Sequence, residues 1–156
     1  MANIPLYELK AVRRGTFRAD SRSIHNQYDA ALVVHEVLTH RDREAFVVMP
    51  IDTKNWIVGV HIVAIGALDN VSVHPREVFK FAVLKNAANI IVAHNHPSGD
   101  PIPSPADRAL TRRLSEAGEI LGIPLLDHLI IGERAEEVYS FQETAPQYLH
   151  SHAAER

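Results

Sequence analysis

The sequence predicts an α/β (α+β) domain, a mixed β-sheet flanked by helices, and three observations predict it. Segments of helical period alternate with short β-branched runs, two of those runs are close enough to form a hairpin, and one run lacks any polar alternation. The chain has 156 residues, 46% of them hydrophobic and 22% charged, with 7 Gly and 9 Pro. That length and balance suit one globular core rather than a disordered, collagenous or coiled-coil chain.

Residues 1–25 read as a leader or arm in which Lys10, Arg13, Arg14, Arg18 and Arg22 outnumber Glu8 and Asp20; an edge strand or a disordered segment fits as well. The domain proper is expected over residues 26–143. Its first element is an amphipathic helix over residues 26–40, with Tyr28, Ala31, Leu32, Val34, Val37 and Leu38 at helical spacing. Residues 45–49 and 57–65 read as two strands of a hairpin turned at Asp52–Asn55, with Gly59 marking a bulge. Pro75 opens a helix to Lys85, with Val78, Phe81, Ala82 and Lys85 on one face and His74 as its cap.

Residues 89–93 are the run without alternation, so the strand should be buried on both faces. Residues 94–105 carry Pro97, Gly99, Pro101, Pro103 and Pro105, which predicts a stiff loop and no ladder strand. A helix then starts at Ser104, keeps Ala106, Ala109, Leu110, Leu114, Ala117, Ile120 and Leu121 on its apolar face, and stops at Gly122. Residues 125–131 and 138–141 are the last strands, and residues 144–156 should be a loose polar tail.

Composition excludes several chemistries. With no cysteine there are no disulfides, thiolate zinc sites or Cys nucleophiles, and the paired-cysteine deaminase signature is missing. Any metal must sit on His and carboxylate. A formal charge of −3 does not support nucleic acid as a partner. No apolar run is long enough to span a bilayer and no signal peptide is seen, so no membrane association and a cytoplasmic location are expected.

Histidine is abundant at 10 residues, and one group of them has metal-ligand spacing. His94-Asn95-His96 follows the buried strand, then come Ser104 and Asp107: H-x-H-x7-S-x2-D. In extended chain, residues i and i+2 point the same way with Cα atoms roughly 6.6 Å apart, so both imidazoles converge on one ion. Asp107, on the first turn of the next helix, supplies a third ligand. Three protein ligands leave the open position of a catalytic zinc, whose bound water ionises near pH 7 or about there. Ser104 and Asp107 also make a good helix N-terminus, so a purely capping role competes for both.

Other histidines fit less well. His35 and His40 flank a zincin-like stretch but are five residues apart, about 140° round a helix, so they cannot share an ion. His150 and His152 repeat the spacing in a polar tail, and His61 reads as a strand histidine. Asp127 and His128 alternate on one strand, and one of them is placed to orient a ligand. For the proton acceptor, spacing alone leaves Glu36, Glu44, Asp52 and Asp127 open.

Glu44 with the apolar run after it, the Asp52–Asn55 turn, His74-Pro-Arg-Glu-Val78, His94-Asn-His96-Pro-Ser-Gly-Asp100, Pro103-Ser104, Asp107 and Leu126-Asp-His-Leu-Ile-Ile-Gly132 together resemble the RadC-like branch of the JAB/MPN/JAMM metalloproteases. The resemblance covers roughly residues 26–141. It implies an MPN domain of cytidine-deaminase-like architecture, one Zn2+ per chain on His94, His96 and Asp107, Glu44 as acid/base, and Ser104 as oxyanion stabiliser. It also implies a metallohydrolase acting on a peptide or protein substrate, by cleavage of a peptide or isopeptide bond. Longer members carry a helix-hairpin-helix region before this block, for which the leader is expected to be too short. A nucleic-acid-associated factor, such as a nuclease, and a non-catalytic scaffold are the rival readings, and the oligomeric state is not readable.

Overall fold

The computed structural model describes residues 1–38, 42–66 and 73–150. Its elements are α1 (Gln27–Leu38), β1 (Ala45–Ile51), β2 (His61–Ile65), α2 (Pro75–Leu84), β3 (Asn89–Asn95), α3 (Pro105–Leu121), β4 (Leu125–Ile131), β5 (Val138–Ser140), the short α4 (Phe141–Thr144) and a 3-10 turn, Pro146–Tyr148. The strands form one mixed sheet in the order β2-β1-β3-β4-β5. Among the described residues only β3 and β4 are parallel, joined by the crossover helix α3.

Two apolar clusters sandwich the sheet, which is why its central strands are apolar on both faces. On one side α1 buries Ala30, Ala31, Val33 and Val34 against Val47, Met49, Ile91 and Leu129. On the other, Phe79 of α2, Leu114 of α3 and Phe141 of α4 pack on Phe46, Val48, Val92 and Ile130. The mixed sheet flanked by helices is as expected.

Five details differ from the sequence reading. First, β3 runs on through His94 and Asn95, because the prolines that forbid a ladder begin only at Pro97. Second, the bulge is not at Gly59: the register breaks between Phe46 and Val47 and leaves Val63 as the extra residue, packed on the core, while Gly59 lies before β2 against the Phe81 ring. Third, residues 57–60 are not part of that strand; Ile57 makes a single bridge to Ile51, drawn in by a turn whose Asp52 carboxylate accepts from the backbone N–H groups of Lys54 and Trp56.

Fourth, the buried stripe of α3 is Asp107, Thr111, Leu114, Ser115 and Gly118, whereas Ala106, Ala109, Ile120 and Leu121 are exposed. The helix is turned to bring polar and small residues inward, for reasons given below. Fifth, the tail is not loose through Leu149: Ala145 and Leu149 are buried in the core, and the Ser115 hydroxyl donates to the Leu149 carbonyl.

The leader pairs only at its end, where Ile24 N–H donates to Asn55, Ile57 N–H donates to Arg22, and the Arg22 guanidinium lies 4.1 Å over the Trp56 ring. Residues 1–19 are exposed and carry no regular structure.

Candidate metal centre

Four elements converge at one end of the sheet. β3 and the residue just beyond it bring His94 and His96 to the same face, as period-2 alternation carried one step past the strand requires. β1 runs antiparallel to it with Phe46 opposite His94, so the register carried on by two residues sets Glu44 opposite His96. α3, capped by Ser104, brings Asp107 on its first turn. β4 supplies His128 from the other side.

His94 is fully buried. Its Nε2 lies 3.0 Å from His96 Nε2 and 3.2 Å from Asp107 Oδ1, and His96 Nε2 lies 3.3 Å from Asp107 Oδ2. Zinc bonded to nitrogen and oxygen at its usual lengths separates tetrahedral ligand atoms by roughly 3.3 Å. The two imidazole nitrogens lie near that spacing and each faces one oxygen of the Asp107 carboxylate at about that distance, so the donor set, two imidazoles and a carboxylate, suits such an ion. Glu44 Oε1 stands further off, 3.8 Å from His94 Nε2, and the ligand atoms of Glu44, His94 and His96 all lie within 4.8 Å of one another.

Each donor is held from behind. The His96 Nδ1–H donates to the Asp100 carbonyl at 2.7 Å, which leaves its Nε2 facing inward. That carbonyl is presented by the tight loop in which Gly99, at φ 77°, donates its N–H to His96. Asp107 and Ser104 form a reciprocal capping box: the Asp107 N–H donates to Ser104 Oγ at 3.1 Å and the Ser104 N–H to Asp107 Oδ2 at 2.7 Å. The capping expectation for Ser104 thus holds, and its hydroxyl proton stays available for another acceptor.

Charge follows geometry. Burial disfavours ionised Asp107, but the hydrogen bonds from His94 and His96 prevail and hold the carboxyl far below the usual range. The same contact to Asp107 raises the pKa of His96 above the ordinary imidazole value. A cation held between these groups would meet a charged carboxylate in a site screened little by water.

Two supporting features were not singled out in the sequence. Asn95, pointing away from the two histidines, accepts from the Ala45 N–H at 2.9 Å and donates to the Arg43 carbonyl at 3.2 Å, so it brackets Glu44 and fixes it at the start of β1. Thr111, four residues after Asp107 and so on the same helix face, reaches His128 Nδ1 at 2.7 Å. Of the alternating pair Asp127 and His128, it is His128 that touches a ligand, at 2.8 Å from His94 Nδ1. Asp127 turns elsewhere and accepts from the Ser140 hydroxyl and the backbone N–H groups of His128 and Gln142.

Among the described residues, the remaining histidines stay apart from this cluster. His35 contacts the Glu133 carbonyl, His61 packs near the Phe81 ring, and His74 Nδ1 caps α2. His150 is exposed, while His40 and His152 lie outside the described residues. Among the described residues, no helix is long and apolar enough to cross a membrane.

Comparison with known proteins bears on the same block. A family model described as a RadC-like JAB domain matches residues 24–146. Curated relatives include a UPF0758 protein of Desulforudis audaxviator, 50% identical over 111 residues, covering 71% of this chain and 48% of the relative. Another, from Moorella thermoacetica, is 47% identical over 131 residues, covering 81% of this chain and 57% of the relative. A third, from Syntrophomonas wolfei, is 55% identical over 98 residues, covering 63% and 42%. The chain spans about half the length of these relatives. With most of its length matched by that model and by relatives at this level of identity, the chain belongs to the RadC-like JAB domain family.

Proposed function

We propose that this protein is a zinc-dependent hydrolase of a peptide or isopeptide bond, with the ion on His94, His96 and Asp107. The observation that carries the reading is the convergence of His94 Nε2 and His96 Nε2, 3.0 Å apart, on the Asp107 carboxylate, whose Oδ1 lies 3.2 Å from the first and Oδ2 3.3 Å from the second, with Glu44 Oε1 3.8 Å from His94 Nε2. When bound there, zinc would supply Lewis acidity, polarising a carbonyl and lowering the pKa of water.

The chain's own groups do the rest. Glu44, held by the Asn95 bracket, takes a proton from the attacking water and returns it to the leaving amine. The Ser104 hydroxyl, its oxygen already accepting from Asp107, donates its proton to the oxyanion that develops as the carbonyl is attacked. The Ser104 N–H, donating to Asp107 Oδ2, holds this carboxylate in place. The Asp100 carbonyl keeps His96 in the tautomer that faces inward.

Glu44→Gln keeps the shape of the side chain and removes its basicity. In the zinc-loaded protein, assayed on a panel of peptides and Lys-linked isopeptides, it should bind metal normally and lose 10²- to 10⁴-fold in hydrolysis, roughly the contribution of general acid-base catalysis. Loss of zinc in this variant would make Glu44 a ligand and overturn its role. Retained turnover would overturn the mechanism.

A further inference from the structure

Behind His94 a line of three contacts leads through the core and comes back to the other ligand-bearing element. His94 Nδ1 lies 2.8 Å from His128 Nε2, His128 Nδ1 lies 2.7 Å from Thr111 Oγ1, and Thr111 Oγ1 lies 2.7 Å from the backbone carbonyl of Asp107. His94, His128 and Thr111 are each fully buried, so no bulk water completes or interrupts the line. The rings cannot easily turn: His128 stacks on Phe141 at 5.1 Å with its other side against the edge of Phe46, and His94 stacks on Phe46 at 5.9 Å.

Such a line has two proton arrangements, each using the same three protons. In one, Thr111 donates to His128, His128 Nε2–H donates to His94, and His94 is left with a proton on Nε2 facing Asp107. That proton occupies the electron pair a metal needs. In the other, His94 Nδ1–H donates to His128, His128 Nδ1–H donates to Thr111, and Thr111 donates to the Asp107 carbonyl, which only accepts. His94 Nε2 then presents a lone pair to the space it shares with His96 Nε2 and the Asp107 carboxylate.

We propose that His128 and Thr111 are positioning residues for the metal centre: together they hold His94 as the Nδ1–H tautomer and tie this ligand to the backbone of the helix that carries the third ligand, Asp107. The usual partner behind a ligating histidine is a carboxylate, a carbonyl or a water. Here it is an imidazole whose own tautomer is set by a hydroxyl. The arrangement explains two features of the sequence together, a polar Thr111 on the buried stripe of α3 and a histidine inside the apolar strand β4.

This inference rests on the zinc reading above, so its test separates the two. Zinc titration of the wild-type chain against a competing chelator comes first; failure to bind one zinc overturns the metal reading itself. With zinc bound, imidazole 15N shifts and couplings in the wild-type protein should report His128 as Nδ1–H. An Nε2–H His128 in the loaded protein overturns the proposal without touching the ligand assignment.

Thr111→Val keeps the shape and removes the acceptor for that proton, so its zinc dissociation constant should rise by roughly 10- to 100-fold, as for other partners behind ligating histidines. Thr111→Ser restores the hydroxyl and should return the constant to near the wild-type value. A folded Thr111→Val that binds zinc as tightly as wild type overturns the proposal. Should that variant not fold, the wild-type tautomer decides.

Discussion

Ser104 is asked to serve two masters, a helix cap and an oxyanion, and substitutions separate them. Asp at this position caps as well as Ser, but ionised it only accepts and adds charge where negative charge develops. Ser104→Asp should keep its fold and zinc while losing about 10²- to 10³-fold in turnover, as for loss of one oxyanion donor. Ser104→Ala should lose turnover and about 1 kcal/mol of stability besides. Near-normal turnover of zinc-loaded Ser104→Asp would leave this residue a cap alone. At this scale much of the centre is legible in the chain, because H-x-H at a strand end and an acid on the next helix's first turn are local patterns. Glu44 is not: its place opposite His96 comes from strand register, which only resemblance to relatives anticipates. Asn95 is hidden for the opposite reason, since a polar residue between two histidines looks like a spacer until its bonds to Arg43 and Ala45 are seen.

Elements show where hydrophobic periodicity misleads. The start and stop of α3 are plain in the sequence, from the Ser104 cap to Gly122 in the left-handed conformation at φ 69°. Its facing is not, because the buried stripe is spent on a ligand, on the hydroxyl that meets His128, on the Ser115 bond to Leu149, and on Gly118. Period-3.6 reasoning assumes the inward face is the apolar one, and a helix that builds a polar site breaks that assumption. Gly118 is there for space: a Cβ would sit 2.6 Å from the Ile123 carbonyl oxygen and 3.3 Å from the Leu125 nitrogen, both backbone. Gly118→Ala, a change that favours an isolated helix by about 1 kcal/mol, should instead destabilise this protein by roughly 1–3 kcal/mol. Thermal or urea unfolding measures it, and an increase in stability would show that the helix-to-β4 turn yields freely.

Across the whole molecule, the sheet and its two covering layers follow from the apolar runs, while the final segment shows what short polar stretches conceal. Residues 144–150 look like a tail because Leu149 is isolated in sequence; folded, it fills the core beside Phe141 and Tyr148. Leu149→Ala should cost roughly 2–5 kcal/mol in urea unfolding, as for other buried leucines, and a cost near zero would return the segment to solvent. Asp127 sits at the joint between β4, β5 and α4, where burial pushes its carboxyl up to about 6 in spite of its three donors. Unfolded, it ionises near its ordinary pKa of about 4, so the folded state holds the proton more tightly between those two values. Its contribution is therefore present at pH 4 and lost as pH rises through 6, by about 3 kcal/mol at most. Wild-type stability relative to Asp127→Asn should fall across that window; a flat or rising difference would mean that the three donors dominate instead.

The central claim is that His94, His96 and Asp107 hold one catalytic zinc, and counting zinc tests it most directly. Elemental analysis of protein freed of loosely bound metal should give one zinc per wild-type chain and almost none in the His94→Ala/His96→Ala double variant, with circular dichroism confirming that both are folded. Full zinc occupancy in that folded double variant, or none in the wild type, would contradict the account.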